Sequence, residues 1–190
     1  HSYVMTRVVP HFQEANRMNQ NGLLPLETYG QCLDYVVITC VDIVFFHRDQ
    51  LLIGKRKTYP KRGWWIIGGR MYAGESPLEA VARKADQEAN VQVDQSRFLF
   101  VNAYSTCFAT RQQEPQHHGL HSVNLTYTLT LTDQEAEQLR LTSSEYDEWA
   151  WVSLEDLRHR LDLADSLDQA LWAIAYDTFE RRSSVEAVLP

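Results

Sequence analysis

The chain has 190 residues, which is enough for one well-buried domain and too few for two of ordinary size. Hydrophobic residues make up 44% and charged residues 23%, an ordinary balance for a globular protein. The formal net charge of −7 argues against a nucleic-acid partner, because attraction to phosphates requires a basic surface.

No membrane-spanning or secretory segment is expected. The longest apolar run, residues 35–46, is interrupted by polar residues and is too short to span a bilayer. No stretch resembles a cleavable signal peptide, and the three cysteines show neither a CxxC pair nor a metal-binding spacing. We therefore expect reduced thiols and a cytoplasmic location.

The predicted elements begin with an N-terminal helical extension over residues 1–30, with its helical pattern at 6–28. Residues 34–47 are rich in β-branched and aromatic side chains and predict a long strand. The sequence LLIGKR at 51–56 predicts the second strand of a hairpin, and WWII at 64–67 predicts a short strand that enters a double glycine.

At Ser76 the spacing of the apolar residues changes from that of a strand to that of a helix. Ser76 suits a helix N-cap and Pro77 the first helical position, and apolar residues recur at helical spacing to about Ala89. Three strands, two short helices and a final amphipathic helix follow. Their predicted ranges are 91–104, 121–132 and 146–152 for the strands, 132–140 and 153–161 for the short helices, and 165–182 for the last helix.

Strands interspersed with helices predict a mixed α/β (α+β) fold. We expect one domain over residues 1–190, with its core at about 31–160.

The loop that follows residues 64–67 contains the candidate chemistry. Gly68 and Gly69 allow the backbone to bend tightly and to approach a ligand closely. On the helix that follows, Lys84 and Glu88 lie one turn apart on one face. Because Mg²⁺ prefers oxygen ligands, one carboxylate and one backbone carbonyl predict a single Mg²⁺ whose other ligands are substrate phosphates.

This stretch resembles the Nudix box, G-x5-E-x7-R-E-U-x-E-E-x-G-U, in which U is apolar. The residues that match in register are Gly69, Glu75, Arg83, Ala85, Glu88 and Val91. Lys84, Gln87 and Asn90 depart from it, in place of two glutamates and a glycine. The resemblance implies a Nudix fold, a mixed β-sheet sandwich flanked by helices, and hydrolysis of a nucleoside diphosphate linked to another moiety. We expect Glu75 and Arg83 to form a structural ion pair that braces the loop on the helix.

Residues 30–160 are most similar to the GDP-mannose mannosyl hydrolases, a Nudix subfamily with a degenerate box. The segments CLDYVV, LLIGKRK, GWWIIGGR and DEWAWVSLEDL follow in the same order. The resemblance implies attack of water on the anomeric carbon of a nucleoside-diphosphate sugar, with release of sugar and nucleoside diphosphate. Fewer metal ligands suffice for this reaction, because the diphosphate leaves as a group that arginines also stabilise.

The subfamily resemblance also implies roles for individual residues. Mg²⁺ would be held by a Gly68 or Gly69 carbonyl, by Glu88 and by Glu145. Arg56 and Arg70 would bind the diphosphate, and Asp34 matches an acidic substrate-binding residue at the start of the first long strand. The residues expected to be catalytic are Glu88, Arg70 and Glu145.

The general base remains open. The subfamily has a His where this chain has Tyr146, and tyrosine is a poor base near neutral pH because its unperturbed pKa is about 10. The candidates are Glu145, Asp147 or a histidine of QHHGLHS, a segment expected to be a loop in which His121 faces the substrate. An aromatic residue that stacks on a nucleobase could come from Tyr3, Phe12, Tyr29 or Tyr35.

Two other functions remain open. One is a pyrophosphohydrolase that cleaves the P–O–P bond of a nucleotide conjugate. The other is a non-catalytic Nudix domain that binds a nucleotide, which Lys84 favours because its ammonium could replace a cation beside Glu88. Nudix enzymes often form dimers, so the resemblance also allows a homodimer.

Overall fold

The computed structural model describes residues 8–15 and 23–186. Within them, seven strands and five α-helices form a mixed α/β fold. The helices are α1 Leu26–Tyr35, α2 Pro77–Ala89, α3 Asp133–Gln138, α4 Leu154–Arg160 and α5 Ser166–Glu186. The strands are β1 Ile38–His47, β2 Gln50–Arg56, β3 Gly63–Trp65, β4 Ile67–Arg70, β5 Leu99–Phe108, β6 Leu120–Thr130 and β7 Tyr146–Val152.

The sheet has two branches that share one hairpin. Strand β1 pairs with β2 only at the hairpin end, Phe46 with Leu51 and His47 with Gln50. Away from the hairpin end, β1 pairs with antiparallel β4. On its other edge, β1 pairs from Ile38 to Phe46 with parallel β6, which in turn pairs with β5. Strand β2 pairs with β3 and β7 instead. Each branch therefore presents its own edge to the space between them.

Alternation along β1 directs its side chains into two cores, since neighbouring residues of a strand face opposite sides. Val41, Ile43 and Phe45 pack in a cluster that includes Val81 and Ala85 of α2. Val44 belongs to a second cluster, which contains Leu171 and Ile174 of α5. None of the helices in residues 8–15 and 23–186 has the length and apolar character needed to cross a bilayer.

Helix α2 forms where its capping signals predict. Ser76 Oγ accepts a hydrogen bond from the backbone N–H of Glu79, and Pro77 occupies the first turn. The helix ends at Asn90, which has φ 56° and ψ 35°. Asparagine tolerates this left-handed conformation better than most residues, so Asn90 takes the role of the glycine in the Nudix box pattern.

The predicted N-terminal elements are partly wrong. Residues 8–15 form no helix, and the helix α1 begins at Leu26, whereas 1–7 and 16–22 lie outside the described residues. Residues 34 and 35, predicted to start the first strand, end α1 instead. The strand predicted at 64–67 is two strands, because β3 and β4 pair with different branches of the sheet.

The later elements agree more closely with the prediction. Strand β7 has the predicted bounds, and α3, α4, β6 and α5 lie within a few residues of theirs. Strand β5 begins at Leu99, later than the predicted residue 91, because Asp94 caps a short 3-10 turn over Gln95–Arg97.

We expect Gly54→Ala to destabilise the fold. A Cβ at Gly54 would lie 2.7 Å from Cδ1 of the buried Tyr146 ring on β7, so the strands would have to separate or the ring would have to move. Overpacking of this kind costs about 1–3 kcal/mol in the free energy of unfolding, which urea denaturation measures. The penalty should shrink in a Tyr146→Ala background, and an equal penalty in both backgrounds would contradict the contact.

Candidate active site

A pocket opens between the two branches of the sheet. Its walls come from the glycine-rich strand β4, from β1 and β6, from the end of β2 and from helix α1. Its lining residues are Tyr29, Ile38, Cys40, Asp42, Arg56, Pro60, Lys61, Trp65, Ile66, Gly68, Gly69, Arg70, Phe108, Leu120, Ser122 and Asn124.

The floor of the pocket follows the alternation of β1 and β6. These parallel strands pair Ile38 with Ser122, Cys40 with Asn124 and Asp42 with Thr126, so their even-numbered residues share one face. Burial raises the pKa of Cys40 to about 12, as does the charge of Asp42, whereas Arg70, Lys84 and Arg56 act in the opposite direction. Three cationic side chains therefore lie near this part of the floor.

Asp42 is a pocket residue that the sequence analysis missed. It is 4% exposed, and its Oδ2 atom has no hydrogen-bond partner. Burial raises the pKa of Asp42 to about 7, although a hydrogen bond with Asn124 and the charge of Arg56 lower it. Asn124 also accepts a hydrogen bond from Ser122 Oγ at 2.6 Å. Asp42, Asn124 and Ser122 thus form a buried polar group that faces the pocket.

The double glycine is required by close packing on both sides of β4. Gly68 pairs with Asp42, and a Cβ at Gly68 would overlap the Asp42 carboxylate and the Val41 carbonyl. A Cβ at Gly69 would lie 2.6 Å from Lys84 Nζ. A larger residue at position 68 would displace the pocket floor, so glycine is needed there for space, whereas a larger residue at position 69 would require the Lys84 side chain to move.

The two predicted diphosphate-binding arginines both line the pocket. Arg70 lies 5.0 Å from the ring centroid of Tyr29 and 5.4 Å from that of Tyr72. Arg56 donates a hydrogen bond from Nη1 to Tyr146 Oη at 3.2 Å, and its Nη2 lies 3.9 Å from Glu145 Oε2. The pocket therefore has two guanidinium groups on opposite branches of the sheet, a geometry suited to phosphate oxygens.

Tyr29 is the predicted aromatic candidate that lines the pocket. Phe12 and Tyr35 are both 89% exposed and line no part of it, and Tyr3 lies outside the described residues. Burial raises the pKa of Tyr29 above its ordinary value, with the Arg70 charge acting against that shift. Trp65, on β3, supplies a second aromatic surface.

Glu75 and Arg83 form the ion pair that the box predicts. Arg83 Nε donates to Glu75 Oε2 at 2.6 Å, and Arg83 Nη2 donates to Glu75 Oε1 at 2.9 Å. Glu75 also accepts from the Tyr72 N–H at 2.6 Å, while Arg83 donates to the Arg70 carbonyl at 3.0 Å. The pair therefore ties α2 to β4 and to the loop between them.

Glu88 and Glu145 are neighbours, and Lys84 is bonded to the first. Glu88 is 4% exposed, and its Oε1 accepts a hydrogen bond from Lys84 Nζ at 2.7 Å. Its Oε2 is buried without a partner. Burial and the charge of Glu88 raise the pKa of Glu145. Such a pair of carboxylates is stabilised by a proton or by a cation.

These residues fit at most one divalent cation. The free Oε2 of Glu88 and the adjacent Glu145 offer two carboxylate ligands of the kind that Mg²⁺ prefers. Within the described residues, however, no group of three or more His, Cys, Asp or Glu could hold a metal ion. Lys84 already neutralises one of the two carboxylates.

Asp34 lies at the end of helix α1 and not at the start of a strand, and it does not line the pocket. Its Oδ1 is 2.8 Å from Arg111 Nη1 and 2.9 Å from His118 Nδ1. Arg111 is fully buried and also donates to the carbonyls of Gln113 and Gly119. Asp34 therefore anchors α1 to the segment between β5 and β6 that contains Arg111 and His118. The acidic residue of β1 that lines the pocket is instead Asp42.

His121 lies in strand β6, in agreement with the strand predicted at 121–132 and not with the substrate-facing loop in which it was also expected. Its Nε2 is 2.8 Å from Ser105 Oγ on β5. Because its neighbour Ser122 lines the pocket, His121 faces the other side of the sheet.

Tyr146, which stands where the subfamily has its histidine base, is 3% exposed, and burial raises its pKa further from neutrality. Among the candidates for the general base, Asp147 is exposed, lies 3.9 Å from Lys57 Nζ and does not line the pocket.

A family model for the NUDIX domain matches residues 38–171, well over half of the chain. Among solved structures, the fold is similar to a MutT NUDIX hydrolase from Burkholderia pseudomallei, with a TM-score of 0.55 and 19% identity over 72% of this chain and 98% of that one. It is also similar to a C. elegans Ap4A hydrolase binary complex, with a TM-score of 0.53 and 15% identity over 78% and 99% of the two chains. These likenesses confirm the predicted fold.

Part of the chain is also similar to a curated protein. It is 32% identical over 71 residues to the low-salt glycan biosynthesis protein Agl8 of Haloferax volcanii. The aligned segment is 37% of this chain and 46% of that protein, so the match spans less than half of the relative.

We expect Glu75→Gln to reduce the free energy of unfolding by about 2 kcal/mol at neutral pH, because it weakens hydrogen bonds to a charged partner. Burial alone would raise the pKa of Glu75, but Arg83, the Tyr72 N–H and Arg70 together lower it below 4.5. The contribution of the ionised carboxylate is therefore present above about pH 4.5 and is lost as the pH falls through the lower folded-state pKa.

Chemical denaturation of both proteins between pH 7 and pH 3 measures this difference. The difference in the free energy of unfolding between wild type and Glu75→Gln should decrease towards zero as the solution becomes acidic. Glu79→Gln, an exposed change on the same helix, serves as the control and should produce a small, nearly constant gap. A Glu75→Gln gap that is absent at pH 7 would contradict the structural role.

Proposed function

The chain belongs to the NUDIX domain family, and from that premise we propose that it hydrolyses a nucleoside-diphosphate sugar. Family membership supports the predicted enzyme class, a Nudix hydrolase. The choice of a nucleoside-diphosphate sugar as substrate rests on one observation. Arg56 and Arg70 line the same pocket as the buried group of Asp42, Asn124 and Ser122.

The arginines suit the diphosphate. Each guanidinium offers a planar set of donors that matches phosphate oxygens, and neither can lose its charge at physiological pH. Lys61 adds a third cationic side chain to the lining. A departing nucleoside diphosphate would develop negative charge that these groups stabilise.

The polar floor suits a neutral, hydroxyl-rich moiety. Asp42 has an acceptor without a partner, and Asn124 supplies an amide beside it. Sugar hydroxyls would form hydrogen bonds with these buried groups, which are costly to leave without a hydrogen-bond partner. Tyr29 and Trp65 give flat apolar surface for a base or a sugar ring.

Nudix hydrolases generally use divalent metal ions, and we propose Mg²⁺ for this chain. Glu88, Glu145 and a backbone carbonyl of Gly68 or Gly69 would hold it. When bound, Mg²⁺ would supply positive charge to the diphosphate oxygens. Asp42, a buried carboxylate in the pocket lining whose pKa is raised to about 7 by burial, is the group that we propose to accept a proton from the attacking water.

The relative from Haloferax volcanii supports a sugar conjugate, because its name assigns it to glycan biosynthesis and glycans are assembled from activated sugars. One observation favours a different function, a nucleotide-binding domain without catalysis: the ion pair of Lys84 with Glu88 neutralises the main candidate metal ligand. A cytoplasmic location and a homodimer remain predictions.

The test is a hydrolysis screen over nucleotide sugars, including GDP-mannose, with and without Mg²⁺. Free sugar with intact nucleoside diphosphate is the expected product. Sugar phosphate with nucleoside monophosphate would instead identify a pyrophosphohydrolase. The proposal fails if every nucleotide sugar is inert with Mg²⁺ present.

For an active substrate, we expect Arg70→Lys to lower kcat/KM by about 10–100-fold, because lysine cannot form the two-pronged contact with phosphate oxygens. Steady-state kinetics measure the change. Arg158→Lys on α4, where the arginine is exposed and outside the pocket, is the matched control and should leave kcat/KM unchanged. Equal kcat/KM values for the Arg70→Lys and Arg158→Lys variants would show that Arg70 does not bind the diphosphate.

A further inference from the structure

Lys84 occupies an unusual position for a lysine. Its side chain is 13% exposed, and that of its partner Glu88 is 6% exposed. The bond between Nζ and Oε1 is 2.7 Å long and joins successive turns of α2. Burying an ammonium group costs several kcal/mol unless a carboxylate compensates for it. The pair is therefore more than a solvated surface contact.

The ammonium group lies directly behind the glycine wall of the pocket. A Cβ at Gly69 would be 2.6 Å from Lys84 Nζ, and Gly69 itself lines the pocket. The charge of Lys84 acts on Cys40, in the pocket floor, and also on Glu145. Lys84 therefore contributes positive charge to the part of the pocket floor, around Cys40, on which Arg56 and Arg70 also act.

The charges around Glu88 balance without a metal ion. Two carboxylates, Glu88 and Glu145, face two cations, Lys84 at 2.7 Å from the first and Arg56 at 3.9 Å from the second. A box with a third carboxylate in place of Lys84 would carry an excess of negative charge at this position. Such an excess would repel a diphosphate until divalent cations neutralised it.

We propose that Lys84 is a built-in counter-cation of the diphosphate site. It lets the chain bind a diphosphate group when divalent cations are absent, and it weakens divalent-cation binding at Glu88. The inference rests on the proposed function in one respect, that the pocket accepts a diphosphate. It concerns binding only, so it does not depend on which bond is cleaved.

The first measurement is calorimetric titration of the wild-type chain with inorganic pyrophosphate in EDTA. We expect binding, and we expect Lys84→Met to weaken it by about tenfold, because the remaining Glu88 charge then acts against the anion. Lys55→Met is the matched control, since it removes the same charge from an exposed lysine outside the pocket. It should change the affinity much less.

The second measurement is titration with Mn²⁺ alone, followed by calorimetry or by the electron paramagnetic resonance signal of the free ion. Lys84→Met should bind Mn²⁺ about tenfold more tightly than wild type, because Glu88 is released from its lysine. Addition of Glu88→Gln to Lys84→Met should abolish that gain. Lys84→Gln, which keeps a polar side chain, should behave like Lys84→Met and provides the comparison if the methionine variant does not fold.

Two results would overturn the inference. One is a wild-type chain that binds pyrophosphate only when a divalent cation is present. The other is a folded Lys84 variant whose Mn²⁺ affinity equals that of wild type and Lys55→Met. Pyrophosphate binding in EDTA by a chain that hydrolyses no nucleotide sugar would leave this inference intact while the proposed function fails.

Discussion

The site depends first on the ion pair between Glu75 and Arg83. Arg83 uses almost all of its donors: two bonds to Glu75, one to the Arg70 carbonyl and one to Gln87 Oε1. Its guanidinium also lies 3.6 Å from the ring centroid of Tyr72. One side chain thus fixes the end of β4, the loop and α2 relative to one another. The positions of Arg70 and Glu88 follow from that arrangement, since they lie on the two elements that Arg83 joins.

The three departures from the Nudix box have separate physical explanations. Asn90 adopts the left-handed conformation that ends α2, and its side chain donates to the Arg140 carbonyl at 2.9 Å, so it adds a contact that glycine lacks. Gln87 accepts a hydrogen bond from Arg83 and so supports the bracing ion pair. Lys84 and Gln87 each stand where the box pattern has a carboxylate near Glu88, and Lys84 also adds a positive charge there. Two of the three departures therefore alter the charge of the site, whereas Asn90 serves the end of the helix.

Local signals made part of this structure predictable. Helix α2 follows from its Ser76 cap, and the Glu75–Arg83 pair follows from the match to the Nudix box, which joins the loop to that helix. Asp42 could not be found in this way, because a carboxylate inside an apolar strand reads as an interruption until the partner of that strand is known. Only the pairing of β1 with β4 and β6 shows that Asp42 faces a pocket. The subfamily resemblance places Asp34 at the start of the first long strand, yet Arg111, far away in the sequence, determines what it contacts.

The location of the cations explains how an acidic chain can hold an anionic ligand. The net charge of −7 is spread over the whole sequence, whereas Arg56, Lys61 and Arg70 all line one pocket. Low-dielectric walls concentrate the field of such groups, and a distant carboxylate on the surface is screened by solvent. The carboxylates that lie closest are also restrained: Glu75 and Glu88 are bonded to cations, and burial favours the protonated form of Asp42. The sign of the local field is therefore set by a few guanidinium and ammonium groups and not by the overall composition. An acidic composition thus argues against a nucleic-acid surface without arguing against a local phosphate site.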